Sequence, residues 1–260
     1  MFCDNLPPLC GGAIFDTHAH YDDSAFDNDR DSLIREINSY GVCGIINCAF
    51  NQSSVATTLE LAHSYGFVYA AVGLHPEESE PLDIDFYRAA AQDEKCVAIG
   101  EIGLDYHWDT IPRDLQRANF RAQAVLANEL KLPIIVHDRD AHADTLEILA
   151  ETEPKGVMHC FSGSAETAMQ VVKLGMYLGF GGALTFKNAR KAVEAAASVP
   201  IERILLETDA PYMSPVPLRG QRCHSAMIYY VAERLAQIKG MTVSDVLNIT
   251  RSNVRDLFGI

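Results

Sequence analysis

The chain of 260 residues carries 21 Lys and Arg against 35 Asp and Glu, a formal charge of −14, and is 48% hydrophobic. Its apolar content excludes disorder, its 17 Gly and 11 Pro exclude a collagen-like or low-complexity chain, and no apolar run reaches the ~18 residues of a membrane helix. The acidic balance argues against a broad basic surface for polyanions, whose binding rests on Lys and Arg neutralising phosphates.

The opening segment has Asp4 and two prolines and lacks the basic-then-apolar plan of a signal peptide. Beyond it, short β-branched-rich runs recur at 13–16, 42–48, 67–73, 97–101, 133–137, 156–159, 176–180 and 204–209. Most are continuous apolar stretches, as parallel strands covered on both faces are. Helical patterns alternate with them. Leu33, Ile34 and Ile37 form a stripe over 30–40, and Val55, Leu59 and Ala62 another before Gly66. A long Ala-rich helix over 115–130 ends ahead of Pro133, and Leu146, Leu149 and Ala150 mark the next. Ala168, Val171 and Leu174 are followed by Gly175, and the helix over 187–197 stops before Pro200. Helices over 225–239 and 242–258 finish the chain, the last opened by a Thr242-x-x-Asp245 capping box.

Eight strands alternating with helices at this length predict an α/β fold, a (β/α)8 TIM barrel of the metal-dependent hydrolase type. It is read as one domain over 1–260, with 1–12 as an N-terminal extension. A doubly wound sheet would need a Gly-rich turn after its first strand, and Gly11-Gly12 precede that strand. Seven scattered cysteines without a C-x-x-C pair predict reduced thiols and a cytoplasmic protein, and give a cysteine-based zinc site no support.

Barrel enzymes carry their chemistry at the C-terminal ends of the strands. There the sequence places Asp16-Thr17-His18-Ala19-His20 on strand one, Glu101 on strand four, His137 on five, His159 on six and Asp209 on eight. His18 and His20, two apart on an extended segment, share a side. One metal can take both imidazoles plus Asp209, a second His137 and His159, with Glu101 able to bridge them. Two divalent ions ~3.5–4 Å apart can generate a hydroxide and clamp a phosphoryl or carbonyl centre. A single strand-end histidine is more often a hydrogen-bonded structural residue; six such groups at one barrel mouth point to metal. Asp16 and Glu207 suit hydrogen bonding to ligand imidazoles, and Asp105 and Tyr106 can shape the pocket. Arg139, Lys187, Arg219 and Arg222 are candidates for phosphate contact, and His75 and His107 for substrate contact. Trp108, Phe161, Phe186 and Tyr212 can stack an exposed base.

The motifs DTHAHYD (16–22), GLHP (73–76), GEIGLDY (100–106), HDR (137–139), HCFSG (159–163) and LETDAPY (206–212) resemble, in order and over nearly the whole chain, the TatD family of metal-dependent deoxyribonucleases. The resemblance implies a barrel of the amidohydrolase superfamily with a two-metal site at His18, His20, Glu101, His137, His159 and Asp209. It implies Mg2+ or Mn2+ as cofactor, with Zn2+ as the alternative. It also implies hydrolysis of DNA, and for some members RNA, usually from 3′ strand ends; neither a membrane nor an obligate protein partner is predicted. Asp209 is the candidate general base, with Glu101 beside it in the catalytic set. One motif departs: the family usually reads RGKRNEP after strand eight, and here residues 219–225 read RGQRCHS, so no role is carried over from that Glu. A hydrolase of small amides, esters or lactones is the competing reading on the same barrel. The related branch with a carboxylated lysine at strand four differs from this chain, which has Glu101. A non-catalytic binding barrel would not need all six candidate ligands.

Overall fold

Parallel strands become the inner wall of a barrel when each is followed by a helix long enough to cover it. In a computed structural model that describes every residue except Met1, Cys10 and Asp109, eight strands pair in chain order. They are β1 (Ile14–Ala19), β2 (Val42–Cys48), β3 (Val68–Val72), β4 (Cys96–Asp105), β5 (Ile134–Arg139), β6 (Gly156–Met158), β7 (Tyr177–Phe180) and β8 (Ile204–Leu206). The covering helices are α1 (Arg30–Tyr40), α2 (Gln52–Ser64), α3 (Ile84–Ala90), α4 (Arg113–Leu130), α5 (His142–Thr152), α6 (Ala165–Lys173), α7 (Arg190–Ser198), α8 (Ile228–Lys239) and α9 (Val243–Phe258). The barrel is nearly closed. Between β1 and β8 the ladder reduces to one parallel bridge, Ala19 to Ala210.

Side chains take over at that seam. The buried Asp16 carboxylate accepts hydrogen bonds from Thr208 N (3.0 Å), Thr208 Oγ1 (2.6 Å), Ser225 Oγ (2.6 Å) and His18 N (3.2 Å). Thr17 Oγ1 donates to Leu206 O at 3.1 Å. A buried carboxylate with four donors is satisfied, so it joins first strand to last without leaving an unpaired charge.

Strand parity divides the barrel interior into storeys. Ile46, Ala71, Ala98, Ile135, Val157 and Leu205 form one buried cluster, closed at the bottom by Val254, Leu257 and Phe258 of α9. Two residues further along the chain, Ile135 is followed by His137, Val157 by His159 and Leu205 by Glu207, and Asp209 comes two residues after that. Period-two geometry thus puts polar groups above the apolar layer on the same inward face. β4 needs an extra step to do this: its register shifts between Ile99 and Ile102, which oppose Ile134 and Val136. Three residues against two make a bulge that turns Glu101 inward. Just after it, Gly103 (φ +144°) lies where a Cβ would fall 2.0 Å from His137 O, so only glycine lets β4 and β5 approach here.

Some elements differ from their sequence-based limits. α3 was not predicted: it has seven residues and follows Pro81 and several acids, too short for a helical period to show. β4 runs four residues past Glu101, through Gly103, to Asp105. α7 starts at Arg190, because 182–185 form a separate 3-10 turn, and Ser225–Met227 forms another before α8. At α9 the Thr242 side chain caps Asp245 N as predicted, but the Asp245 carboxylate returns to the Thr242 hydroxyl (2.7 Å). Of the predicted N-terminal extension, the described residues Phe2, Cys3, Leu6 and Leu9 pack against the main core. No helix among the described residues is long and apolar enough to cross a membrane.

Candidate metal centre

The six predicted ligands meet at the C-terminal mouth of the barrel. His18 Nε2 and His20 Nε2 lie 3.1 Å apart. His18 Nε2 is 3.2 Å from Glu101 Oε2 and 3.7 Å from Asp209 Oδ1, and His20 Nε2 is 3.5 Å from Asp209 Oδ1. Donor atoms about 2.1 Å from an ion in tetrahedral or octahedral array are about 2.9–3.4 Å apart. The spacing therefore fits a divalent ion. The other Glu101 oxygen faces a second group: Oε1 is 2.8 Å from His137 Nδ1 and 2.8 Å from His159 Nε2, and those nitrogens are 3.4 Å apart. His75 joins this side, its Nε2 3.5 Å from Glu101 Oε1. The sets His18–His20–Asp209, His18–Glu101–His159 and His75–Glu101–His137 can each hold an ion.

Neighbouring acceptors orient the rings. His20 Nδ1 lies 2.9 Å from Cys48 O. A carbonyl only accepts, so Nδ1 carries a hydrogen and Nε2, the nitrogen turned to the centre, is the one a metal ion would take in place of a proton. His137 Nε2 lies 2.9 Å from Asp105 Oδ2, which leaves Nδ1 facing Glu101 in the same way. Asp105 Oδ1 accepts the backbone N–H groups of His107 (2.9 Å) and Trp108 (3.1 Å). Asp209 has left-handed backbone (φ 65°), a conformation that Asp tolerates better than most side chains, in the turn that follows β8.

The field at the mouth favours positive charge. Burial lowers His18 to about 4, with the His159 charge adding to it. At His20 burial opposes the imidazolium, but the Asp209 hydrogen bond and the Glu101 charge outweigh it and raise the pKa to about 9. At His137 burial is outweighed by Asp105 and Glu101, giving about 10. Burial would lift Glu101 and Asp209, yet surrounding imidazoles hold both below the ordinary carboxylate range. Two buried acids behave oppositely. Burial raises Asp16 to about 6 against its hydrogen bonds, and Glu207 to about 8 against the His159 charge. Neither makes the predicted bond to a ligand imidazole: Asp16 bonds backbone and hydroxyl groups, and Glu207 accepts from Cys160 N while lying 3.8 Å from His159 Nδ1.

The TatD related DNase family profile matches residues 15–259. The chain belongs to the TatD family. YabD, an uncharacterized metal-dependent hydrolase of Bacillus subtilis, is 42% identical over 253 residues, covering 95% of this chain and 99% of YabD. A 3′-5′ ssDNA/RNA exonuclease TatD of Salmonella typhimurium is 32% identical, with 95% and 99% covered. The crystal structure of YjjV, a TatD homologue of Escherichia coli, superposes with a TM-score of 0.89 at 31% identity, covering 95% of this chain and 98% of that one. The protein is accordingly a metal-dependent hydrolase of the TatD type.

Around this TatD centre lies a cavity of about 660 Å3, lined by metal-set residues together with Asp23, Phe50, Glu77, Glu78, Trp108, Arg139 and Tyr212. The Arg139 guanidinium sits 5.3 Å from the Trp108 ring centre, and the Trp108 and Tyr212 side chains are about half exposed. His75, predicted for substrate, lines the cavity beside the ligand groups. Lys187 is exposed on the segment before α7 and is not among the lining residues. Arg222 donates to Asp29 Oδ2 (2.7 Å) and Ala25 O (2.6 Å), fastening the loop after β8 to the one after β1. Arg219 lies 3.9 Å from the Phe186 ring centre, and His107 pairs with Asp140 at 3.3 Å. In the divergent RGQRCHS segment Cys223 and His224 are buried and Ser225 feeds the Asp16 network. Sequence reasoning missed Asp23, Phe50, Glu77 and Glu78 as cavity residues. Glu77 and Glu78 directly follow GLHP, the one signal that could have found them.

Proposed function

We propose that this TatD-type hydrolase cleaves phosphodiester bonds at the 3′ ends of DNA strands, with RNA as a further substrate. One observation carries the reading: the two oxygens of Glu101 face two separate imidazole groups, so one carboxylate can serve a pair of adjacent divalent ions. The exonuclease named among the relatives supports the choice of phosphoryl over carbonyl chemistry. His18, His20 and Asp209 would hold one ion and His137 and His159 the other, with Glu101 between. Bound Mg2+ or Mn2+, or Zn2+ as the alternative, supplies Lewis acidity, a lowered water pKa and charge neutralisation at the phosphoryl centre.

The chain's own groups supply the rest. Arg139, at the cavity wall, donates to a non-bridging phosphate oxygen, and His75, beside His137 on the Glu101 Oε1 side, is placed to reach the same group. Asp209 accepts the proton of the attacking water. A P–O bond forms to the water oxygen, the P–O3′ bond breaks, and the leaving 3′-oxygen takes a proton from solvent while Asp209 returns its own to solvent. Asp105 and Cys48 O keep the two ring tautomers that aim lone pairs at the centre.

The test is hydrolysis of 5′-labelled single- and double-stranded oligonucleotides in Mg2+, Mn2+ or EDTA, run beside a panel of amides, esters and lactones. Metal-dependent shortening from the 3′ end is expected. Metal-dependent turnover of amides, esters or lactones with intact oligonucleotides reverses the assignment.

A further inference from the structure

The cavity wall carries an unusual balance of charge for a site that takes a polyanion. Apart from the metal-set residues, its described lining includes three carboxylates, Asp23, Glu77 and Glu78, and one guanidinium, Arg139. These acids are built in. Asp23 Oδ1 accepts Ala25 N (2.7 Å) and its Oδ2 accepts the Tyr212 hydroxyl (3.1 Å), which fixes the carboxylate beside the half-exposed ring. Glu77 N donates to His75 Nδ1 (3.2 Å), and Glu78 N to His75 O (3.1 Å). Both glutamates therefore ride on the turn that presents His75 to the centre.

A single phosphate at the centre would meet Arg139 and the cations that the ligand set would hold, whereas its neighbours along a strand would come near the acids of the wall. Every further nucleotide adds a negative charge. A phosphate ~7 Å from a carboxylate in water is disfavoured about 2–3-fold per pair. The net charge of −14 adds long-range repulsion of the same sign.

We propose that Asp23, Glu77 and Glu78 form a negative rim that selects short oligonucleotides, from dinucleotides to a few residues, over long strands. The inference rests on the phosphodiester reading and deepens it. Trp108 and Tyr212 line the same cavity, where they can stack an unpaired base independently of charge. The enzyme then stands after other nucleases in a degradative sequence, consuming the short fragments that cleavage of long strands releases.

The experiment compares Mn2+-loaded protein on a thymidine dinucleotide, a trinucleotide and a strand of about twenty thymidines, at equal concentration of 3′ ends. Ionic strength is varied from ~10 mM to ~150 mM, so that the Debye length falls from about 30 to 8 Å. Bis(p-nitrophenyl) phosphate serves as a diester with no neighbouring phosphate. At low salt kcat/KM on the dinucleotide should exceed that on the long strand about tenfold, and added salt should narrow the gap by speeding the long strand. The double variant Glu77→Gln, Glu78→Gln should narrow the low-salt gap about fivefold without added salt. A long strand cleaved as well as the dinucleotide and slowed by salt overturns the inference while leaving the phosphodiester reading intact. A length ratio unmoved by the double variant also overturns it. Failure to turn over any diester, including the chromogenic one, removes the phosphodiester reading itself.

Discussion

Asp105→Asn separates two jobs that one carboxylate performs. Asp105 is 1% exposed, and its Oδ2 accepts from His137 Nε2 at 2.9 Å while its Oδ1 takes the N–H groups of His107 and Trp108. Asparagine keeps one acceptor oxygen and sets an NH2 group against either the imidazole N–H or the two backbone N–H groups. A buried donor left facing a donor costs ~1–3 kcal/mol. Losing the partner that orients a ligand imidazole typically weakens metal binding about 10- to 100-fold, or about 1.4–2.7 kcal/mol. The two routes agree in size, so the variant should bind Mn2+ or Zn2+ at least about tenfold more weakly in calorimetric titration of chelator-stripped protein. Asp140→Asn, which alters the exposed partner of His107 on the neighbouring loop after β5, is the control and should bind like the wild type. Equal affinity of Asp105→Asn and wild type for both metals would falsify the claim that Asp105 holds His137 in its ligating tautomer.

Asp209→Asn and Glu101→Gln should each reduce turnover by about 10²–10⁴-fold with an unchanged circular dichroism spectrum; wild-type turnover by either metal-loaded variant removes it from the reaction. Arg139→Glu should raise KM for oligonucleotides about tenfold at low salt and less at high salt. An unchanged KM takes Arg139 out of the substrate site. Chelation should lower the thermal midpoint: metal at 100 times its Kd contributes about 2.7 kcal/mol, or about 5–11 °C for a chain of this size. Melting curves that coincide with and without chelator contradict the ligand assignment. Gly103→Ala should cost more than ~3 kcal/mol, read as a lower urea midpoint, because its Cβ would meet His137 O at 2.0 Å; a midpoint equal to wild type refutes the close-approach argument.

The barrel was legible because its strands are buried on both faces and so read as apolar runs, which place residues such as Ile135 and Val157 directly from the sequence. His18, His20, His137, His159 and Asp209 were legible for a related reason: each ends such a run or follows it closely. Glu101 was found at what read as a strand end, although it lies inside β4, because the bulge that turns it inward hides between two glycines. What stayed hidden depends on chain crossings. The link from Asp105 to His137 joins β4 to β5, and the pairing of Arg222 with Asp29 joins two loops far apart in sequence. Local pattern carries no information about either. α3 escaped because seven residues hold barely two helical turns.

The seam between β1 and β8 gives the two halves of the centre different birthdays. Thr208 follows Asp16 by 192 residues, so the group formed by His18, His20 and Asp209 spans about three quarters of the chain and exists only once the last strand has docked. Glu101 and His137 lie on β4 and β5 and His159 directly follows β6, so these three come within 2.8–3.4 Å of one another once β6 is in place. On a ribosome, where the N-terminal part emerges first, one half of the centre can gather its ligands while His18 and His20 still wait for Asp209. An ion captured at the earlier half would brace the middle of an open sheet, and one captured at the later half would clasp the ring shut.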